Sequence, residues 1–508
     1  MEIAGELQDT RMLSYAYGYL GQLYEQEKQY AQAIRLTRSA IFSAQQGYHP
    51  ELSYLWQWQS GRIFKAEDDI GNAVKSYENA VAILTPRRER CEECETPEDA
   101  EKAHPPGILH ELFKGYRGRK LRFSENVKPV YLELAELLLK QERLSEAWDT
   151  MEHLKTAELQ DFFQDECVTE KQKNIRKLEK MPPRTAMLYP IPFQHSLTLL
   201  LASDEDMRHF DVPVDSESLG ETADEFRKEL ENVGSDRYRH YAEKLHTWLI
   251  KPVEEYLVDR NIDTLIIAPD GPLRLIPFSA LHDGEHFLIE KYALVTVPAI
   301  TLTDLGKPGE GEKADSLLCG LSQGDPPLPH VRKELDAVRA VTHGKILSDE
   351  AFTMENLTHE FKNQAYANIL MATHGKFGGT VQETFLQLYD DILTMDKLEE
   401  FISFGRFRDQ QTELLTLSAC QTALSDERAA LGLAGIAVKA GVRSAVATLW
   451  SVSDEAASLT VTEFYREIGT GISKAKALQQ AQRKLIISHS RFQHPSYWAP
   501  FLLIGNWR

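Results

Sequence analysis

The sequence predicts an N-terminal all-α repeat solenoid followed by an α/β domain whose mainly parallel sheet is covered by helices. Small and apolar residues recur at fixed spacings up to about residue 160, and short β-rich runs begin after residue 183. Helical stretches, such as the one predicted at 238–258, separate several of those runs. A chain of 508 residues is also too long for one ordinary domain. We therefore expect helical repeats at 1–165, a linker at 166–184 and the α/β domain at 185–508.

Composition and charge exclude several classes of protein. The chain is 42% hydrophobic and 26% charged, which is an ordinary balance for globular domains. The formal net charge of −20 argues against direct binding to nucleic acid or to an anionic membrane. The first residues lack the pattern of a signal peptide, and no apolar run approaches the roughly 20 residues that cross a bilayer. Because its 5 cysteines suggest no disulfide framework, we expect a cytoplasmic protein.

The first 160 residues contain three copies of one spacing. A small residue is followed by a large apolar residue three positions later and by small or apolar residues twelve and nineteen positions later. The copies are Gly21, Tyr24, Ala33 and Ala40; Gly61, Phe64, Ala73 and Ala80; and Ala135, Leu138, Ala147 and Leu154. This spacing resembles the tetratricopeptide repeat, a helix pair of about 34 residues. Such pairs stack into a solenoid whose concave surface binds a protein, although they could instead only brace the rest of the chain.

Two apolar strands of the α/β part run into reactive residues. The run 367–373 leads into His374 and Gly375, and the run 413–418 leads to Cys420, which is 46 residues after the histidine. That separation allows one strand–connection–strand passage, so we expect both side chains at the same edge of the sheet. An imidazole there could generate a thiolate nucleophile, and the backbone N–H groups of Gly375 and Cys420 could bind an oxyanion. Taken singly, a cysteine at a strand end is more often a small buried residue, and a histidine there is more often a hydrogen-bonded core residue.

The two motifs resemble those of the caspase-like cysteine peptidases, in which His-Gly ends one strand and an Ala-Cys motif follows about 50 residues later. Residues 185–508 resemble more specifically the CHAT family, a caspase-related group that is often attached to tetratricopeptide repeats. Five motifs carry this resemblance, and they lie in the segments 268–278, 372–375, 417–422, 447–454 and 497–507. The resemblance implies an α/β caspase-like domain made of an N-terminal part at 185–310 and a catalytic part at 311–508.

Carried over to this sequence, the resemblance implies that Cys420 is the nucleophile and His374 the general acid and base. Gly375 would contribute to the oxyanion hole together with the backbone of Cys420. No acidic third member is evident, and caspase-like sites commonly function as dyads. Asp390 and Asp391 lie between the two motifs, and we expect them in a solvated turn.

The resemblance also implies that residues 447–452 line a peptide cleft, where an extended substrate could pair with the backbone. Trp450, Ser451 and Asp454 are the predicted substrate-binding residues. Separases resemble this segment but carry an acidic residue directly after the tryptophan, in the pocket for a basic side chain, where this chain has Ser451. Asp454 could instead cap a helix that starts at Glu455, and Trp450 could pack in the core.

We therefore predict a cysteine endopeptidase that cleaves a protein partner and is gated by a regulatory protein docking on the repeats. The loops 376–382 and 425–430 flank the dyad and are expected to become ordered on activation. The alternatives are a catalytically idle protein-binding scaffold and a thiol hydrolase that acts on another acyl group. The resemblance makes a role in prokaryotic defence or signalling plausible.

We expect no metal and no other cofactor. The sequence contains no Gly-x-x-x-x-Gly-Lys phosphate loop and no His-Glu-x-x-His zinc motif. Cys91 and Cys94 have the spacing of half a zinc site, but no second pair lies nearby, so we interpret them as part of a solvated acidic loop.

Overall fold

The computed structural model describes residues 9–85, 123–163, 181–305, 315–378, 380, 383–406, 411–418, 427–488 and 490–508. The chain divides into two compact units, Met1–Glu166 and Cys167–Arg508, and each is described by itself. The cysteine pair at 91 and 94 and most of the predicted linker lie outside the described residues.

The described part of the first unit consists of helices packed in antiparallel pairs. They are α1 (Thr10–Gln26), α2 (Tyr30–Gln46), α3 (Pro50–Ala66), α4 (Ile70–Leu84), the short α5 (Phe123–Asn126), α6 (Lys128–Lys140) and α7 (Leu144–Phe163). Aspartates cap the N-termini of two of these helices. The side chain of Asp9 accepts the backbone N–H of Met12, and that of Asp69 accepts the N–H of Asn72. The pairs α1–α2, α3–α4 and α6–α7 coincide with the three sequence copies, so the predicted helical repeats are confirmed.

Small residues at the repeated positions let the paired helices approach closely. A Cβ atom on Gly61 would lie 2.9 Å from the ring of Tyr77, which is fully buried on α4. The Tyr77 hydroxyl donates to Glu133 at 2.6 Å, so the ring has little freedom to move away. The alanines at 33, 73 and 147 are likewise fully buried. The spacing seen in the sequence is therefore a packing requirement of the helix pairs.

The second unit is built on one large sheet with a small second sheet. Its strands are β1 (Thr185–Pro192), β2 (Leu197–Ala202), β3 (Met207–Val212), β4 (Thr264–Ile267), β5 (Ala293–Thr296), β6 (Ser316–Gly320), β7 (Lys345–Ser348), β8 (Asn368–Ala372), β9 (Gly375–Lys376), β10 (Phe385–Gln387), β11 (Ile392–Thr394), β12 (Leu414–Ser418), β13 (Ser444–Thr448) and β14 (Phe501–Gly505). The 11-stranded sheet has the order β3-β2-β1-β4-β5-β14-β13-β12-β8-β6-β7, and the 3-stranded sheet has the order β11-β10-β9.

Most neighbours in the large sheet run parallel. The antiparallel pairs are β1–β2, β2–β3 and β13–β14, whereas β4, β6, β8, β12 and β13 each have a parallel partner. The central strands β4, β6, β12 and β13 are buried along their whole length. Burial on both faces explains why they appear in the sequence as continuous apolar runs.

Helices accompany this sheet through the second unit. They are α8 (Ser216–Glu231), α9 (Tyr238–Leu249), α10 (Lys251–Asp259), the short α11 (Leu288–Lys291), α12 (Val331–Thr342), α13 (Met354–Asn363), α14 (Met395–Arg406), α15 (Glu427–Ala434), α16 (Ile436–Ala440), α17 (Asp454–Ile468) and α18 (Lys474–Ser488). The fold class predicted from the sequence is therefore confirmed: helical repeats precede an α/β domain with a mainly parallel sheet covered by helices.

One local prediction was wrong, and the strand β1 was not predicted. The run 238–258 is not one helix, because the chain breaks at Ile250 and Pro252 then occupies the first turn of α10. The sequence reading also missed β1, since Pro190 and Pro192 argue against a strand. Both prolines lie beyond Leu188, the last β1 residue that pairs with β4, so they interrupt no bond to that neighbour.

Candidate functional site

The strands β8 and β12 lie side by side and end at the same level of the sheet. They pair in parallel, and the last pair of the register joins Ala372 to Ser418. The backbone N–H of Thr373 then donates to the carbonyl of Ser418 at 3.2 Å. His374 is the second residue after Ala372, and Cys420 is the second residue after Ser418. The predicted pair therefore follows two adjacent strand ends at equal offsets.

Only one member of that pair is among the described residues. His374 is described and is partly exposed, whereas Cys420 falls in the segment 419–426, which is not described. The loops 376–382 and 425–430, which were expected to become ordered on activation, also lie partly outside the described residues. The predicted contact between sulfur and imidazole therefore stays a prediction, supported by the register of the two strands.

A backbone carbonyl orients the imidazole of His374. The ring nitrogen Nε2 lies 2.8 Å from the carbonyl oxygen of Pro326, in the loop that joins β6 to α12. A carbonyl oxygen only accepts hydrogen bonds, so Nε2 carries the proton. In the neutral ring Nδ1 is then the nitrogen that has a free lone pair and can take a proton. This partner could not be predicted from the sequence, because every residue type has a backbone carbonyl group.

The backbone around His374 is held by the second sheet. The N–H of Gln387 on β10 donates to the His374 carbonyl at 2.7 Å, and the Thr373 hydroxyl donates to the Gln387 carbonyl at 2.7 Å. Gly375 stands opposite Leu386 in this antiparallel ladder. Successive residues of an antiparallel strand direct their N–H and C=O groups to opposite sides. Because His374 bonds to β10, the N–H of the next residue, Gly375, points away from β10 on this edge strand. The predicted role of this N–H in an oxyanion hole requires such an orientation.

The predicted substrate-binding residues follow β13. Trp450 is only 4% exposed, and its indole N–H donates to the carbonyl of Ser496 at 3.1 Å, which favours the packing role. Ser451 is exposed. Asp454 is the first residue of α17, after Ser453 at the N-cap position, so it does not cap a helix starting at Glu455.

The carboxylate of Asp454 already has a partner. It accepts the backbone N–H of His330 at 2.7 Å and the ring Nδ1 of the same residue at 2.8 Å. His330 ends the loop whose Pro326 carbonyl meets His374. Asp454 thus holds the far end of that loop, a contact that the sequence did not indicate.

A buried acid lies behind the end of β12. Glu334 on α12 is 1% exposed, and the hydroxyl of Ser418 donates to it at 3.2 Å. Among the described residues, no group hydrogen-bonds its other carboxyl oxygen. Burial raises the pKa of Glu334 to about 8, with the hydrogen bond from Ser418 opposing this rise and the charge of Asp454 adding to it. A lone glutamate on an amphipathic helix gives no sequence signal for such burial.

The segment at 268–278, one of the five sequence motifs, packs near the start of α15. Asp270 and Arg274 form a buried ion pair at 2.7 Å. Gly271 has a positive φ of 54°, and a Cβ atom there would lie 3.7 Å from the carboxylate of Glu427, the first residue of α15. This motif therefore supports the helix that begins just after the undescribed segment.

Two further observations concern features outside this edge of the sheet. Asp390 and Asp391 are exposed in the turn between β10 and β11, where Asp390 accepts the N–H of Met354.

Among the residues described, no cluster of three His, Cys, Asp or Glu side chains could hold a metal ion. In the same part of the chain, every helix is too short or too polar to cross a bilayer.

Comparison with known proteins identifies the family. The model of the CHAT domain matches residues 239–506, which is just over half of the chain. Human tetratricopeptide repeat protein 28 is 23% identical over 322 residues, covering 52% of this chain and 13% of the relative. Mouse tetratricopeptide repeat protein 28 is 35% identical over 98 residues, covering 18% of this chain and 4% of the relative. The chain thus spans only a small part of these relatives.

Among solved structures, the chain is similar to the separase–securin complex of Saccharomyces cerevisiae. The match covers 99% of this chain and 48% of that chain, with 10% sequence identity and a TM-score of 0.41. The family match covers β8, β12, β13 and the segment around His374. The chain therefore belongs to the family of proteins that carry a CHAT domain.

Proposed function

We propose that this protein is a cysteine endopeptidase in which Cys420 is the nucleophile and His374 the general acid and base. The observation that supports this most directly is the pairing of Ala372 with Ser418, from which the two residues follow at equal offsets on neighbouring parallel strands. Reactive groups of parallel sheets lie beyond the carboxyl ends of the strands. Membership of the CHAT family supports the same chemistry.

In the proposed reaction, Nδ1 of His374 takes the proton of the Cys420 thiol. The thiolate attacks the carbonyl carbon of the scissile peptide bond, and the N–H groups of Gly375 and Cys420 bind the resulting oxyanion. His374 returns the proton to the leaving amine as the C–N bond breaks, which leaves a thioester. Water then hydrolyses the thioester with His374 acting as the base. The carbonyl of Pro326 favours the required tautomer throughout.

We place the substrate along the segment that follows β13. Ser451 is exposed there, and its backbone could pair with an extended peptide, while Trp450 anchors the segment from inside. His330 already occupies the carboxylate of Asp454. We therefore expect no strong preference for a basic residue at the cleavage site, since binding one would require Asp454 to release His330.

A peptidyl electrophile that labels thiols tests the dyad. We expect the probe to label Cys420, to lose this label in His374→Ala, and to leave Cys319 unlabelled in every variant. Cys319 is a matched control because it is fully buried on β6, where burial raises the pKa of its thiol. Labelling of Cys420 that does not depend on His374 would favour the alternative of an idle protein-binding scaffold.

Peptidase activity is then tested on a candidate protein substrate that is expressed together with the chain. Wild type should produce fragments that Cys420→Ala does not, and terminal sequencing of the fragments would identify the cleaved bond. Equal cleavage by both variants would rule out the proposed role of Cys420. Labelling without peptide cleavage would favour a thiol hydrolase that acts on another acyl group.

We further propose that a regulatory protein docks on the repeats and gates the site. The support is that stacked helix pairs present binding surfaces, and that Met12, Tyr19 and Leu23 on α1 are each more than half exposed. The purified chain should therefore cleave slowly by itself, and rapid cleavage without any partner would contradict gating. A cytoplasmic location and a role in prokaryotic defence or signalling stay predictions.

A further inference from the structure

The loop at 321–330, between β6 and α12, determines how the imidazole of His374 is held. Its Pro326 carbonyl accepts from Nε2, and a Cβ atom on Gly324 would lie 3.0 Å from Cδ2 of the same ring. Residues 323–327 are all exposed, so burial in the core cannot hold this part of the loop in place. Some other interaction must fix it if the carbonyl is to stay at Nε2.

One buried carboxylate binds both ends of this loop. Asp349 lies in the turn after β7 and is fully buried. It accepts the N–H of Ser322 at 2.8 Å, the hydroxyl of Ser322 at 2.8 Å and the N–H of Gln323 at 3.2 Å. It also accepts Nε and Nη2 of Arg332, just past the other end of the loop, at 2.9 and 2.6 Å. Hydrogen bonds to a charged acceptor are the strong ones, so this anchor is firm.

The carboxylate is ionised, and the residue type suits its backbone. Burial alone would raise the pKa of Asp349, but the bonds from Arg332 and Ser322 outweigh it and hold the pKa below its ordinary value. The φ angle of Asp349 is +48°, in the left-handed region that aspartate and asparagine tolerate better than most other residues. Glutamate, the other acidic residue, has a longer side chain and could not make these bonds from this position.

We propose that Asp349 is a positioning residue for His374: by tying Ser322, Gln323 and Arg332 together, it keeps the Pro326 carbonyl at Nε2. It acts through the loop and does not touch the reacting atoms. The inference rests on the proposed dyad of His374 and Cys420. Without the anchor, the exposed loop would sample other positions, and Nε2 would lose the acceptor that selects its tautomer.

Asp349→Asn tests this directly, because asparagine has the same size and suits the positive φ angle. Its amide group accepts fewer of the five bonds and carries no charge for Arg332. The matched control is Glu360→Gln. Glu360 is also a buried carboxylate, and it accepts Lys345 at 2.6 Å and Tyr366 at 2.6 Å. Lys345 begins β7 and Tyr366 precedes β8, so both lie at the edge of the sheet where these strands start, away from His374.

The measurement is the rate at which iodoacetamide modifies Cys420 in the full chain, followed by mass spectrometry from pH 5 to 9. A thiol paired with an imidazole should remain reactive below pH 7. Asp349→Asn should move the profile toward that of an unpaired cysteine, whose pKa is about 8.5, with roughly a tenfold loss of rate at pH 6. Glu360→Gln should keep the wild-type pH profile even if it lowers the melting temperature as much as Asp349→Asn does.

An unchanged profile in folded Asp349→Asn would overturn the inference. If that variant does not fold, Arg332→Gln takes its place, because the Arg332 side chain is 62% exposed and Asp349 would keep its bonds from Ser322 and Gln323. We then expect a shift in the same direction of a few-fold, and no shift would again overturn the inference. His374→Ala separates the two proposals: if it matches wild type, the dyad itself is wrong.

Discussion

The buried carboxyl group of Glu334 should make the α/β unit less stable as the pH rises. Burial raises the pKa of this group from 4.5 to about 8 in the folded chain. The folded state therefore binds the proton more tightly than the unfolded state does. The protonated Glu334 carboxyl group stabilises the fold fully below pH 4.5, and this stabilisation is lost as the pH rises through 8.

The size of the effect follows from the two pKa values. Each unit of difference corresponds to about 1.4 kcal/mol, so about 3 kcal/mol is lost by pH 7 and about 5 kcal/mol well above pH 8. Glu334→Gln replaces the protonated acid by a neutral group of the same shape. The amide oxygen can still accept from Ser418, so the variant should equal wild type near pH 4.5 and exceed its stability at pH 8 by about 3 kcal/mol or more.

The assay is urea denaturation at a series of pH values, read by hydrogen exchange in peptides from β12 and α12. This readout reports the opening of the α/β unit alone, which matters because a chain of two units need not unfold in one step. Asp336→Asn is the control, since it removes one charge from a 65% exposed side chain on the same helix. A stability difference between Glu334→Gln and wild type that stays constant from pH 5 to 8 would refute the reasoning.

Two further predictions concern packing and ion pairing. Gly61→Val should destabilise the helical repeats by about 2 kcal/mol, because Tyr77 occupies the space that a Cβ atom needs. At Gly71 no atom lies within 4 Å of an added Cβ, so Gly71→Val should change stability by about 0.5 kcal/mol or less. Urea denaturation read in peptides from α3 and α4 compares the two, and equal losses would contradict the packing argument. Asp270→Asn should cost about 3 to 5 kcal/mol, since it removes the negative charge from a buried ion pair. Thermal unfolding measures this loss, and a melting temperature equal to that of wild type would show that the pair is not needed.

The order of elements could be predicted because it depends on local patterns. The apolar runs at β8 and β12 are nearly continuous, and strands buried on both faces produce that signal. Glycine and alanine at the repeated positions indicated helix pairs, because close approach restricts residue size over a short stretch of chain. The missed strand β1 and the single helix proposed for 238–258 show where proline was misjudged: whether it is tolerated depends on which neighbour a strand or helix has at that point.

The support around His374 depends on contacts between distant parts of the chain. Pro326 lies 48 residues from His374, and Asp454 lies 124 residues from His330. Asp349 meets Ser322 across 27 residues. Neither a carbonyl acceptor nor the burial of an acid leaves a mark in residue type or spacing, so sequence reasoning had no means of finding them.

By itself, the amino-acid sequence determined the two-part architecture, the candidate pair His374 and Cys420, and the family resemblance, because these depend on periodicity and short motifs. Only the tertiary structure decided that β8 and β12 are neighbours in register, that Pro326 orients the imidazole, and that Asp349 holds the loop carrying it. The physical reason is that hydrogen bonds and burial depend on distances in space. Segments far apart in the chain are brought together only when the sheet has formed.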